Sequence, residues 1–318
     1  MYKKIMKKIV SIIAPCYNEE GNINDFYDEL NKQLTPLAYD FEFVFVNDGS
    51  KDQTLNILKT LARSDNRIKV VDFSKNFGKE AAILAGLDYA SGEAAIIIDA
   101  DLQMPVTKIK DLIELWQEGN KLVLTYKNER KKGLKSFLAT KYYDVYNYLS
   151  DDKIIKNALD FQIMDREVID VICSMRERSR FFKGITGFIG YNYKMIPIEI
   201  NDRTSGESKF GGFKTLFNYA FRSFAIHSDI PLKIALKIGT VISMVGFIYM
   251  LYIFFKTLIK GVDVSGYASL IIVMLFMFGI VLLILGIMGY YIALIYNEVK
   301  QRPNYIVNEV IVKDEKGE

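Results

Sequence analysis

Residues 238–255 and 267–296 contain no charged side chain. A helix needs about 20 predominantly apolar residues to cross a bilayer, so the second run qualifies easily and the first just does. Lys237 and Lys256 bracket the first run and can extend to a membrane interface. Tyr290, Tyr291 and Tyr296 make an aromatic anchor near the end of the second. Two such runs joined by a short polar link predict a membrane hairpin; two buried core helices of a soluble protein are the competing reading. Arg222, Lys233 and Lys237 precede the hairpin and Lys300 and Arg302 follow it, against Lys256 and Lys260 in the link. That weak basic bias predicts a cytoplasmic location for the rest of the chain. Polar residues are too scarce within the runs for a transporter.

The preceding two thirds read differently. Apolar strand-like segments at residues 10–14, 41–46, 69–73 and 94–98 alternate with helical patterns at 22–34, 79–90 and around Leu55, Leu58 and Leu61. In the first helix Ile23, Phe26, Leu30 and Leu34 share one face. Strands alternating with helices predict an α/β fold, a mostly parallel sheet covered on both faces. The basic start followed by residues 9–15 resembles a signal peptide only superficially. Tyr17-Asn18-Glu19-Glu20 stands where a small-residue cleavage site belongs, so the segment is read as a buried first strand.

Composition narrows the classes. A net charge of +3 does not suggest a nucleic-acid binder. Cys16 and Cys173 lack the spacing of a zinc site or a disulfide framework, and fit small buried residues in a reducing compartment. The single histidine, His227, rules out a His-rich metal centre. Two further stretches, 133–149 and 210–226, mix Lys or Arg with aromatic residues in the manner of interfacial helices.

Ligands of open α/β sheets bind beyond the carboxyl ends of the strands, and polar residues gather there. Asp99-Ala100-Asp101 follows Ala-Ile-Ile-Ile. Two carboxylates on such a turn can share a divalent cation or divide metal and ribose between them. Oxygen donors suit Mg²⁺ or Mn²⁺, and Gln103 can add a neutral ligand. Asp48 ends the second strand and can accept a hydrogen bond from a base or ribose. Its competing role is an Asx turn or helix cap; capping by Ser50 or Asp52 instead would leave it free. Pro15 and Tyr17 can wall a flat base, and Glu19 can reach a ribose hydroxyl.

The segments Ala14-Pro15-Cys16-Tyr17-Asn18-Glu19-Glu20, Val46-Asn47-Asp48-Gly49-Ser50, Asn76-Phe77-Gly78-Lys79-Glu80 and Asp99-Ala100-Asp101-Leu102-Gln103 together resemble the inverting glycosyltransferases of family 2. Arg203-Thr204-Ser205-Gly206-Glu207-Ser208-Lys209-Phe210 resembles the Arg-x-x-Gly-x-Ser-Lys-aromatic motif of the dolichyl-phosphate mannose synthase branch. The two apolar runs narrow the resemblance to polyprenyl-phosphate glycosyltransferases, which include bactoprenol glucosyltransferases. It covers roughly residues 8–300.

The resemblance implies a GT-A-type nucleotide-sugar-binding domain. It gives Pro15, Tyr17, Asn18, Glu19 and Asp48 to the nucleoside and Asp99, Asp101 and Gln103 to a divalent cation. Lys79 would add positive charge at the donor, and Arg203, Ser208 and Lys209 would bind phosphate. Asp160 falls at an active-site aspartate; with Arg203 and Lys209 it forms the implied catalytic set. At Gln162 the sequence departs from the pattern, where Arg is common. Arg178 or Arg180 could supply that charge. The implied reaction carries a hexose from a nucleotide-sugar, UDP-glucose first, to undecaprenyl phosphate at the cytoplasmic face of the cell membrane. A phosphate acceptor is already ionised, which makes Asp160 a positioning residue; a hydroxyl acceptor would require a carboxylate base.

The expected organisation is a catalytic domain over residues 1–209, an interfacial helix over 210–233, two membrane helices over 234–300 and a cytoplasmic tail over 301–318. Small residues Gly279, Gly286 and Gly289 would allow close helix packing and self-association. The alternatives are a family 2 transferase acting on a glycan hydroxyl, and a non-catalytic nucleotide-sugar-binding scaffold. The only tryptophan, Trp116, lies outside any Gln-x-x-Arg-Trp motif of the processive polysaccharide synthases.

Overall fold

The computed structural model describes residues 8–127, 147, 154–178, 180–200, 230–260 and 266–313. The chain forms two compact units. The first contains an eight-stranded sheet; the second contains the two long apolar helices.

The first half of the sheet unit follows the expected alternation. It runs β1 (Ile9–Cys16), α1 (Ile23–Leu34), β2 (Asp40–Asn47), α2 (Thr54–Ser64), β3 (Ile68–Phe73), α3 (Lys79–Tyr89) and β4 (Ala94–Ile97). β1 runs two residues past its expected end, pairing Pro15 with Val46 and Cys16 with Asn47. β4 has already stopped pairing with β1 at Ile13. The missing N–H of proline therefore falls where one neighbour has left.

Then come α4 (Ile109–Gln117), β5 (Leu122–Lys127), β6 (Ala158–Asp165), α5 (Arg166–Ser174), α6 (Phe182–Phe188), β7 (Tyr193–Ile198) and, after the apolar helices, β8 (Val307–Val312). The strand order is β7-β5-β6-β4-β1-β2-β3-β8. β3, β2, β1 and β4 form a parallel block. Antiparallel β6 and β8 flank it, so the sheet is mixed.

Successive strand residues point to opposite faces, and two cores result. Val10, Ile12 and Ala14 join Phe26 and Leu30 of α1, Leu58 of α2 and Leu112 of α4. Ile13, Val44 and Val46 join Ala82 and Ala85 of α3, Ile169 of α5 and Phe182 of α6. The buried face of α1 holds all four expected residues plus Tyr27. In α2 the buried residues are Thr54, Leu58 and Ala62; the expected Leu55 and Leu61 pack only partly at its edges.

Within the expected tail over 301–318, Val307–Val312 forms β8, which pairs antiparallel with β3 from Lys69↔Val312 to Phe73↔Val307. Tyr305 stacks on Phe73 with ring centroids 5.1 Å apart and donates to Asp88 Oδ2 at 2.6 Å. Arg176 binds the same carboxylate through two nitrogens. These contacts fasten the chain to the sheet edge after the apolar helices.

The second unit contains α7 (Ile230–Lys260) and α8 (Tyr267–Val299). Leu232–Ile253 and Phe276–Val299 are long and apolar enough to cross a membrane, and they are not buried by protein. Of the expected interfacial helix, residues 210–229 lie outside the described residues, and 230–233 already belong to α7. The stretch 133–149 is also outside them, apart from Asn147.

Candidate active site

The carboxyl ends of β1, β2 and β4 converge, as the parallel block requires. The loops after β1 and β2 are tied by hydrogen bonds. Asn18 N–H donates to Ser50 Oγ at 3.0 Å, and Lys51 N–H donates to Asn18 Oδ1 at 2.9 Å. Glu19 N–H donates to Thr54 Oγ1 at 2.8 Å. Asn18 holds φ 55°, a left-handed conformation that asparagine tolerates. Pro15 and Tyr17 are half-buried beside this junction. The Glu19 carboxylate accepts from Asn22 Nδ2 at 2.7 Å.

Asp48 does not stand free. It is 3% exposed, and its carboxylate accepts the N–H groups of Phe77 at 2.6 Å and Gly78 at 3.0 Å. Asn76 Nδ2 donates to its carbonyl at 3.2 Å. Burial raises the Asp48 carboxyl above its ordinary range, although these two N–H groups pull it down. The carboxylate therefore fixes the loop that starts α3. Gly78, at φ 97°, makes the turn there without the strain a side chain would bring.

Asp99 and Asp101 lie half-buried just beyond β4. Gln103 N–H donates to Asp101 Oδ1 at 3.1 Å, closing a turn in which Leu102 has φ 57°. Asp160 approaches from β6. The β4–β6 pairing ends at Ile97↔Gln162, two residues short of Asp99 on one side and of Asp160 on the other. Lys79, the first residue of α3, joins them: its Nζ is 2.8 Å from Asp99 Oδ2 and 2.7 Å from Asp160 Oδ2.

Burial would lower the Lys79 ammonium, but Asp99 and Asp160 more than compensate and raise it. Burial likewise pushes Asp160 up, yet the charges of Lys79 and Lys183 leave its carboxyl below the ordinary range. The same ammonium does less for Asp99, which burial and its acidic neighbours Asp160 and Asp101 hold above that range.

Glu80 belongs to this cluster although its residue type and motif suggested no role. Its Oε2 accepts Phe182 N–H at 2.9 Å, tying the first turn of α3 to α6. Burial and the Asp160 charge push its carboxyl up to about 7, against the opposing Phe182 N–H, Lys79 and Arg180. The signal in the sequence was its place one residue after Lys79. Gln162 is buried beside Asp160 on β6, and its Oε1 has no partner among the described residues. Arg180 donates to the Met175 carbonyl, while its Nε and Nη2 are buried without partners among the described residues. Arg178 is exposed. Arg203, Ser208 and Lys209 lie outside the described residues.

The donor set at Asp99 and Asp101 consists of half-buried carboxylates on one turn, of which Asp99 already faces a cation in the form of Lys79. That chemistry fits Mg²⁺ or Mn²⁺. Among the described residues no group of three His, Cys, Asp or Glu side chains forms a complete cage. An ion that takes one or two carboxylates and completes its shell with substrate phosphates needs none.

A family model described as glycosyl transferase family 2 matches residues 11–176. The chain is 40% identical over 303 residues to the prophage bactoprenol glucosyl transferase homolog of Escherichia coli, covering 95% of this chain and 99% of that protein. It is 40% identical over 302 residues to the bactoprenol glucosyl transferase of Shigella phage SfII, covering 94% and 97%. The solved mannosyltransferase from Pyrobaculum calidifontis in complex with GDP-Man and Mn²⁺ aligns at 18% identity over 70% of this chain and 62% of that one, with a TM-score of 0.46.

Proposed function

The chain belongs to glycosyl transferase family 2, and from that premise we propose that it moves glucose from UDP-glucose onto the phosphate of a polyprenyl lipid such as undecaprenyl phosphate, inverting the anomeric centre. The observation that carries this reading is the identity with proteins named for bactoprenol glucosyl transfer. It extends over 94% of the chain, and so takes in the apolar helices as well as the sheet.

A polyprenyl phosphate does not leave the bilayer cheaply, since each buried CH₂ is worth about 0.8 kcal/mol. The transferase must therefore work at the headgroup plane, and α7 and α8 are its anchor. β8 follows α8 and pairs in the same sheet as the strands preceding α7. A spanning hairpin returns the chain to the side it left, and the weak basic bias of its flanks supports the cytoplasm as that side.

At the donor, Pro15, Tyr17, Asn18 and Glu19 surround the nucleoside, and Asp48, whose carboxylate is engaged by the Phe77 and Gly78 N–H groups, shapes the loop beside it. Asp99 and Asp101, with Gln103, hold the divalent cation, which when bound neutralises charge on the departing diphosphate. Arg203, Ser208 and Lys209 draw the lipid phosphate to an otherwise acidic site. With a second pKa near about 6, that phosphate is largely a dianion at neutral pH and attacks without a general base. The Lys79–Asp160 contact suits this acceptor. A carboxylate held below its ordinary range by an ammonium 2.7 Å away is a poor proton acceptor and a good anchor.

The test uses membranes containing the protein, undecaprenyl phosphate and radiolabelled UDP- and GDP-sugars. Label from UDP-glucose should pass into the organic phase. Transfer only to a soluble glycan, with none to lipid from any donor, would overturn the reading.

A further inference from the structure

A lysine at the first position of a helix is poorly placed. The amino end of a helix carries partial positive charge and favours anions. Lys79 opens α3 all the same, on a loop pinned by the buried carboxylate of Asp48. What offsets the position is the pair Asp99 and Asp160, each within 2.8 Å of Nζ. These carboxylates, one just beyond β4 and the other on the neighbouring β6, are drawn to a single ammonium, where like charges would otherwise repel. Lys79 thus neutralises two acids, Asp99 on the proposed metal turn and Asp160 on β6.

We propose that the Lys79 ammonium is a resident counter-cation that holds Asp99 and Asp160 together in the donor-free chain and competes with the divalent cation for Asp99. The inference rests on the glycosyltransferase reading and extends it. Lys79 is a positioning residue: it keeps Asp160 in place as the donor arrives, and it weakens metal binding until a diphosphate is present to offer the ammonium a second anion. Futile metal loading without donor is thereby limited.

The experiment titrates Mn²⁺ into the full-length protein in detergent, without nucleotide, and follows the electron paramagnetic resonance of free Mn²⁺. Removing a unit charge beside the site should tighten binding, so Lys79→Met should lower the Mn²⁺ Kd about tenfold. Lipid-linked product should fall about a hundredfold as Asp160 loses its anchor. Lys79→Arg retains the charge; its Mn²⁺ affinity should stay near that of the unaltered chain and most turnover should return. Lys79→Gln, uncharged but able to donate a hydrogen bond, gives the same Mn²⁺ prediction if the methionine variant misfolds. Unchanged or weaker Mn²⁺ binding in the folded neutral variants would overturn the proposal, since a merely structural lysine lowers stability, metal binding and turnover together. Tighter Mn²⁺ binding in the neutral variants, alongside no lipid product from any donor with the unaltered chain, supports it and sinks the proposed acceptor. Lipid product from a chain that binds no Mn²⁺ does the reverse.

Discussion

Glu80 shows what a neighbouring residue can add to a motif. It follows Lys79, yet it points to the Phe182 N–H instead of joining the Asp99–Asp160 bridge. Its ordinary value is 4.5 and its value in the fold is about 7. Between those limits the unfolded chain has lost the proton that the folded chain keeps. The stabilising contribution is therefore complete below pH 4.5 and is lost as pH rises towards 7. Glu80→Gln keeps an oxygen for Phe182 but cannot ionise. Thermal unfolding in detergent at pH 5 and pH 8 should show the unaltered chain losing stability across that range and the glutamine variant losing less, with the variant the more stable at pH 8. Equal slopes would remove Glu80 from the buried acid cluster. Asp99 and Asp101 were legible in the sequence because they follow a strand end, whereas Asp160 was singled out only through the family resemblance. The engagement of Asp48 was not legible, because its partners Phe77 and Gly78 arrive from the loop after β3, about 30 residues further along the chain.

Among the elements, α3 does most to place the site. Every residue from Ala81 to Leu87 is buried, so the helix is wedged against the sheet and its first turn cannot drift. Gly86 permits the approach: a Cβ there would lie 2.2 Å from Ile13 Cγ2 on β1. Gly86→Ala sets two effects against each other. Alanine gains about 1 kcal/mol in helix propensity over glycine, whereas overpacking a filled core costs about 1–3 kcal/mol. Ile13 is fully buried, so the clash should win, lowering stability by up to about 2 kcal/mol net. A shifted α3 also displaces Lys79, so lipid-linked product should fall with it. Denaturant unfolding that showed a gain in stability would mean that Ile13 yields. The helix α1 was readable from apolar spacing, and α3 from the run that Ser91-Gly92 closes. The burial of α2 along Thr54, Leu58 and Ala62 was not, because leucines at its edges carry more apolar weight than the small residues that face the sheet.

At the scale of the molecule, the sequence pattern identified the parallel block and the two apolar helices but not the flanks of the sheet. β6 crosses antiparallel beside β4 after a long excursion, and β8 lies beyond α8. No local spacing reports a partner so distant along the chain, although the apolar content of Val307–Val312 was visible. The consequence is that the last segment is structural. It completes the edge of β3, pairs Glu309 with Lys59, and brings Asn308 Nδ2 to 3.0 Å from Asp72 Oδ2. Asp72 also accepts from Asn47 Nδ2 at 2.7 Å, so β8 supports the last residue of β2, immediately before Asp48. Ending the chain at residue 301 would strip β3 of its neighbour and leave an unpaired edge that invites association. The apolar helices would be untouched, so the truncated protein should still fractionate with membranes. Its sheet unit should melt at least about 5 °C lower, a shift that a loss of about 2 kcal/mol produces in a domain of this size. Lipid-linked product should drop as the β2 end loosens. A truncated chain with the original melting temperature and full activity would return residues 301–318 to the status of a tail.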